Sequence, residues 1–182
     1  MSSLACCKGD IDKGTPLGTV ETVAGHKTYI AKPSNLTNDV KLVVIATDIF
    51  GYTLANPRLV ADKFAAKGYL CLVPDLFKGS EADPGMMTAI DNLSSEKSGF
   101  GSKLAGFGSL LYNLPGFLIK NSVDGGCKII EEVIAATKTS YSVKKVYVQG
   151  YCWGGSIVIK LAQKQGLVML FVQPPCATFP SK

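Results

Sequence analysis

The chain has 182 residues, of which 47% are hydrophobic and 18% are charged, and its formal net charge is +5. This composition excludes a disordered chain, and the length suits one globular domain, so we expect residues 1–182 to fold around a single core. The basic residues are spread along the chain without a block, and Arg58 is the one arginine. Nucleic acid is therefore not an expected partner, because its binding proteins usually cluster arginine and lysine.

The cysteines and the histidine of the chain do not form a metal-binding pattern. Six cysteines are present, but no two have the C-x-x-C spacing, and His26 is the single histidine. We therefore expect no metal and no other cofactor. The N-terminal residues lack an apolar signal segment, and no uninterrupted apolar run reaches the roughly 18 residues that a membrane helix needs. These features favour a cytoplasmic protein without a membrane partner.

In chain order, the first half of the sequence predicts a strand followed by a strand-helix-strand unit. Residues 28–31 form a short strand candidate, and residues 41–46 form a β-branched run typical of a strand buried on both faces. Apolar positions within residues 56–67 fall on one helical face, and Gly68 is placed to end that helix. Residues 69–74 are the next buried strand. Short connections of this kind predict a right-handed parallel crossover.

The pattern changes in residues 75–124, which are rich in glycine and serine. Weak helices are predicted near residues 84–93 and 103–112. Residues 104–119 are apolar but contain Pro115, so we expect a cap rich in loops rather than a membrane span. A long stretch without strong periodicity inside a compact domain is typical of an insertion or lid over a site.

Regular periodicity returns after residue 125. A helix beginning near Gly126 has one apolar face, and Lys128 can pair with Glu132 one turn later. The remaining predicted elements are a strand, a helix and a last strand, at residues 144–149, 156–165 and 167–172. The alternation of strands and helices predicts the α/β class with a mostly parallel sheet.

Residues 150–155, Gly-Tyr-Cys-Trp-Gly-Gly, lie between a predicted strand and a predicted helix. This is the context of the Gly-x-Ser-x-Gly nucleophile elbow, with Cys152 in place of the serine. A cysteine at a helix N-terminus is favoured as the thiolate, which is the reactive form. The alternative is that Cys152 is a small buried apolar residue in a tight connection.

Several motifs taken together identify a family. They are Cys6-Cys7 with Gly14-Thr15-Pro16-Leu17-Gly18, Asp48-Ile49-Phe50-Gly51, Gly68-Tyr69, Val73-Pro74-Asp75-Leu76-Phe77 and Gly150-Tyr151-Cys152-Trp153-Gly154-Gly155. With these motifs the chain resembles the dienelactone hydrolases, the cysteine-using branch of the α/β-hydrolases, and most closely their fungal-type members. The resemblance implies a three-layer α/β-hydrolase-like sandwich and the hydrolysis of a lactone, ester or thioester.

The resemblance also implies roles for individual residues. Cys152 is the expected nucleophile, and the backbone N–H groups of Ile49 and Trp153 are the expected oxyanion hole. Asp48 is the expected supporting acid, in a position where relatives carry a glutamate that contacts the resting cysteine. Considered alone, Asp48 also fits a residue whose side chain forms a turn.

The usual partners of the nucleophile are missing from this sequence. In this fold the triad acid and histidine follow the nucleophile, but no Asp, Glu or His follows Cys152. We expect His26 to be a solvated turn residue far from the elbow. The expectation is therefore a C-terminally truncated hydrolase domain that lacks the last strands, with an exposed edge at residues 167–172 through which chains could associate. The alternative is a non-catalytic remnant that keeps the pocket.

Overall fold

A computed structural model of the protein describes residues 14–36, 38–83, 86, 93, 99–165 and 170–173. Its strands are β1 (Thr19–Val23), β2 (His26–Ala31), β3 (Val40–Ala46), β4 (Leu70–Pro74), β5 (Val143–Tyr151) and β6 (Leu170–Gln173). The helices bounded within the described residues are α1 (Ala55–Ala66), α2 (Phe100–Lys120), α3 (Val123–Ser140) and α4 (Trp153–Gln165).

The strands form one mixed sheet in the order β1-β2-β4-β3-β5-β6. The pairs β1–β2 and β2–β4 are antiparallel, whereas β4, β3, β5 and β6 run parallel to one another. The predicted parallel unit of β3, α1 and β4 is thus confirmed. Because the carboxyl ends of parallel strands lie on the same side of a sheet, the segments that follow β3, β4 and β5 lie next to one another. This carboxyl end of the sheet is where α/β proteins bind their ligands.

Helices cover both faces of this sheet, which gives three layers. On one face, α3 and α4 pack on alternate strand positions, and the buried residues there include Leu42, Val44, Leu72, Ile130, Val133 and Ile157. On the other face, α1 packs on the intervening positions through a set that includes Val43, Ile45, Ala61, Ala65 and Cys71. The alternation follows from the two-residue period of a strand, which sends neighbouring side chains to opposite faces.

The sequence did not predict β1. Four of its five residues are exposed, so it lacks the apolar alternation by which strands are recognised. It is held by pairing with β2 across a two-residue turn at Ala24 and Gly25, whose φ angles are +50° and +80°. Two positive φ angles are typical of the hairpin turn that matches the twist of a strand pair.

The helix predicted near residues 103–112 is confirmed, but residues 104–119 are not rich in loops, and that part of the prediction was wrong. They belong to α2, which is continuous through Pro115. Proline removes one backbone donor, but Phe117 offsets this because its buried ring packs on residues of the sheet edge and of α4. The predicted helix at 84–93 lies mostly outside the described residues, and no described helix combines the length and apolar character needed to cross a membrane.

The last predicted strand is confirmed in part. Residues 170–173 pair in parallel with β5, Val148 facing Leu170, whereas residues 167–169 lie outside the described part of the chain. Within the described sheet, β6 is one of the two end strands, the other being β1. Association of chains through this edge stays a prediction.

Candidate active site

Cys152 is the single residue between β5, which ends at Tyr151, and α4, which begins at Trp153. Its φ is +50°, in the left-handed region, and its side chain is exposed. A residue other than glycine reaches this region at a cost of about 1–2 kcal/mol, and such strain clusters at functional sites. The conformation is that of a nucleophile elbow, which presents the side chain at the end of the strand.

Two glycines allow this sharp turn to pack. A Cβ atom at position 150 would overlap the carbonyl of Gly154 and lie 2.8 Å from the amide nitrogen of Gly155. A Cβ at position 154 would overlap the carbonyl oxygen of Ala46 and lie 2.6 Å from that of Thr47. The elbow therefore requires glycine at both positions, and the first turn of α4 lies directly against the end of β3.

Cys152 directly precedes the first turn of α4. The first N–H groups of a helix have no partners within it, and its dipole is positive at this end. The thiols of Cys71 and Cys127 are buried, and burial raises the pKa of both. Among the described cysteines, Cys152 is thus the one with an exposed side chain.

The segment after β3 forms a tight turn beside the elbow. The Gly51 N–H donates to the Asp48 carbonyl at 3.2 Å, and Gly51 has a φ of +78°. The Phe50 N–H donates to Oδ1 of Asp48 at 2.9 Å, which confirms the turn-forming role. Burial raises the pKa of the Asp48 carboxyl, and the hydrogen bond from Phe50 opposes that shift. A third bond runs from the Ala82 N–H to the Ile49 carbonyl at 2.8 Å.

Strand pairing brings this turn and the elbow together. Ala46, the last residue of β3, pairs with Gly150 near the end of β5. Asp48 and Cys152 each follow that pair by two residues, so both lie at the same edge of the sheet. Ile49 and Trp153, whose backbone N–H groups are the expected oxyanion hole, are the residues that directly follow Asp48 and Cys152.

An aromatic cluster supports the elbow from the side of α2 and α3. The ring centroid of Trp153 lies 5.0 Å from that of Phe77 and 6.1 Å from that of Phe117. Gly126 of α3 gives the indole room, because a Cβ there would lie 3.1 Å from its Cη2 atom. Trp153, the residue after Cys152, is therefore held by packing of the kind that fixes side chains in cores.

The expectation that His26 is a solvated turn residue was wrong. Its side chain is buried at the start of β2, and its Nε2 atom lies 2.8 Å from Oε2 of Glu132 on α3. This contact lowers the pKa of Glu132, with a smaller contribution from the Lys128 charge. In the sheet order, β4 and β3 separate the strand of His26 from that of Cys152. The structure thus pairs His26 with Glu132, away from the elbow.

Sequence reasoning missed three contributors to this region. Thr47, Ala82 and Phe117 are buried at the end of β3, after β4 and on α2. Thr47 lies directly between β3 and the Asp48 turn. Its position at the carboxyl end of the sheet could have been predicted, because the β-branched run of the sequence ends just before it. The contacts of Ala82 and Phe117 join segments distant in sequence, and no local pattern signals them.

Comparison of the sequence with known proteins finds relatives in one hydrolase family. A profile of the Dienelactone hydrolase family matches residues 26–172. Hydrolase tropI of Talaromyces stipitatus is 30% identical over 162 residues, which cover 88% of this chain and 58% of that protein. The Carboxymethylenebutenolidase homolog of Xenopus tropicalis is 31% identical over 168 residues, which cover 90% of this chain and 58% of that protein. The chain thus spans 58% of the length of these curated relatives.

Solved structures agree on the fold. An α/β serine hydrolase from Xanthomonas campestris matches with a TM-score of 0.51 at 9% identity, covering 84% of this chain and 59% of that chain. A dienelactone hydrolase-like promiscuous phosphotriesterase from metagenomic libraries matches with a TM-score of 0.52 at 15% identity, covering 85% and 57%. These likenesses show that the chain has the α/β-hydrolase fold, as its sequence predicted.

Proposed function

The chain belongs to the dienelactone hydrolase family, and we propose that it cleaves a lactone, ester or thioester bond with Cys152 as the nucleophile. One observation carries the proposal. Cys152 is an exposed thiol with a φ of +50°, held between the end of β5 and the N-terminus of α4. A strained turn at this point of the sheet is what an α/β-hydrolase uses to present its nucleophile.

The proposed chemistry begins with the thiolate of Cys152. Its sulfur attacks the carbonyl carbon, the C–S bond forms, and the electron pair of the C=O bond moves to the oxygen. The N–H groups of Ile49 and Trp153 donate to that oxyanion, which is where such donors stabilise the transition state. The tetrahedral species then expels the leaving oxygen or sulfur, which takes a proton from solvent, and a thioester remains.

Water completes the proposed cycle. It attacks the thioester carbon, the C–S bond breaks, and the acid product leaves while the sulfur regains its electron pair and a proton. No Asp, Glu or His follows Cys152 within these 182 residues, so neither step is assigned a base here. Acylation by an ester with a good leaving group should therefore be faster than release of the acid, because a phenolate needs no proton to depart.

The test uses 4-nitrophenyl acetate and follows nitrophenolate release and protein mass together. The wild type should give a burst of nitrophenolate and a mass increase of one acetyl group, which peptide mapping places on Cys152. Cys152→Ala should give neither. Cys127→Ala is the matched control, since Cys127 is buried in the core and should not affect the burst. Equal release by the wild type and Cys152→Ala would overturn the proposal.

A further inference from the structure

The turn after β3 fixes two successive peptide groups, and the first of them carries the Ile49 N–H. The carbonyl of that first group, which belongs to Asp48, accepts the Gly51 N–H at 3.2 Å. A trans peptide directs its carbonyl and its N–H to opposite sides. Because the carbonyl faces into the turn, the Ile49 N–H faces out of it, where an oxyanion donor is needed.

The second peptide group is held at both ends. Its carbonyl, from Ile49, accepts the Ala82 N–H at 2.8 Å, and its N–H, from Phe50, donates to Oδ1 of Asp48 at 2.9 Å. The side chain of Asp48 is thus the only side chain among the three hydrogen bonds that shape this turn. An aspartate reaches the N–H two residues ahead of it, as a turn-forming residue does.

We propose that Asp48 is a positioning residue, whose carboxylate oxygen accepts the Phe50 N–H and thereby holds the Ile49 N–H in the oxyanion hole. The inference rests on the proposed function and assigns Asp48 a role that needs a hydrogen-bond acceptor at Oδ1. It does not need a negative charge beside the thiol of Cys152. Asparagine, which has the same shape and offers an oxygen in the same place, should therefore substitute for Asp48 far better than alanine.

The first experiment measures the acylation rate with 4-nitrophenyl acetate in Asp48→Ala and Asp48→Asn. Alanine should lower this rate by about 10-fold or more, since a misplaced oxyanion donor forfeits much of its stabilisation, and asparagine by less than about threefold. Asp62→Ala is the matched control. Asp62 also accepts a backbone N–H, from Leu17 at 2.9 Å, but it lies on α1, and that helix packs on the face of the sheet opposite α4. Its acylation rate should stay within about twofold of the wild type.

The second experiment measures alkylation of Cys152 by iodoacetamide against pH. This displacement forms no oxyanion, so both Asp48 variants should alkylate at close to the wild-type rate and with the wild-type pH profile. An altered profile in Asp48→Asn would show that charge near the thiol matters instead, and would overturn the proposal. An equal loss of acylation in Asp48→Asn and Asp48→Ala, or in Asp62→Ala, would also overturn it.

These outcomes separate the two proposals. If the wild type shows no acylation that depends on Cys152, the proposed function fails before any Asp48 variant is compared. If the wild type acylates and Asp48→Ala acylates equally well, the proposed function stands and the positioning role fails. Should Asp48→Ala not fold, Asp48→Asn decides the question, because it removes the charge and keeps the acceptor.

Discussion

Gly154 of the elbow helix lies against the end of β3, where a Cβ atom at position 154 would be 2.6 Å from the carbonyl carbon of Ala46. Real Cβ atoms do not approach that closely, and the neighbour is backbone within a central strand, which cannot rotate away. The contact joins the strand that precedes the Asp48 turn to the helix that follows Cys152. The packing of α4 against the end of β3 therefore requires that position 154 carry no Cβ atom.

Gly154→Ala should lower the free energy of unfolding by about 3 kcal/mol, because the added methyl group must displace β3 or α4. Urea denaturation would measure the change. Gly108→Ala is the matched control: Gly108 lies in α2, and a Cβ there meets nothing within 4 Å. This control should gain about 0.5–1 kcal/mol from the better helix propensity of alanine. Equal effects of the two substitutions would contradict the packing described for the elbow.

Thr47→Val should stabilise the protein. Thr47 is 1% exposed, and its hydroxyl has no hydrogen-bond partner among the described residues. An unpaired buried hydroxyl costs about 1–3 kcal/mol, and valine has nearly the same shape without it, so we expect a gain of about 1 kcal/mol in urea denaturation. Thr47→Ser keeps the hydroxyl and should not show this gain. Lower stability of Thr47→Val would mean that the hydroxyl is paired in solution.

Asp48→Asn should change how stability depends on pH. Burial raises the pKa of the Asp48 carboxyl above its ordinary value, so ionisation favours the unfolded chain. The contribution of this group to wild-type stability therefore falls as pH rises from the unfolded pKa through the folded one, and stays low at neutral pH. Relative to the wild type, Asp48→Asn should gain stability across that window, as urea denaturation at a series of pH values would show. A constant difference across the series would contradict the shift.

The pair of His26 and Glu132 should make the folded state more stable as pH rises, which is opposite to the effect of Asp48. The hydrogen bond from His26 lowers the pKa of Glu132, so the ionised carboxylate favours the folded state. This contribution is present at neutral pH and is lost as pH falls through the lowered pKa. The stability difference between the wild type and Glu132→Gln should therefore shrink on acidification. Glu131→Gln removes the same charge from α3 at the neighbouring position, and a matching trend in this control would rule out a specific effect of the pair.

The buried elements could be predicted because each leaves a local pattern in the sequence. The β-branched residues of β3, the apolar face of α3 and the glycines of the elbow all lie within one element or one turn. The strand β1 has no such pattern, since pairing with β2 rather than burial holds it. In the same way, α2 continues through Pro115 because Phe117 contacts residues far away in the sequence.

The same distinction between local and long-range contacts decides which parts of the candidate site could be predicted from the sequence. The elbow at Cys152 is a property of six consecutive residues and could be recognised from them. The turn at Asp48 could be anticipated from a short polar side chain after a buried strand. The hydrogen bond from the Ala82 N–H to the Ile49 carbonyl could not be anticipated, because it depends on where the segment after β4 lies once the sheet has formed. The partner of His26 was missed for the same reason, since Glu132 is 106 residues further along the chain.

The aromatic cluster makes the site visible to fluorescence without any label. Trp153 is the single tryptophan of the chain, and it directly follows the proposed nucleophile. Its indole packs against Phe77 and Phe117, which come from the segment after β4 and from α2. Emission from this protein on tryptophan excitation therefore reports on one place, and its intensity and wavelength should respond to a group attached at Cys152, to a change in the packing of Phe117 and to loss of the elbow on unfolding.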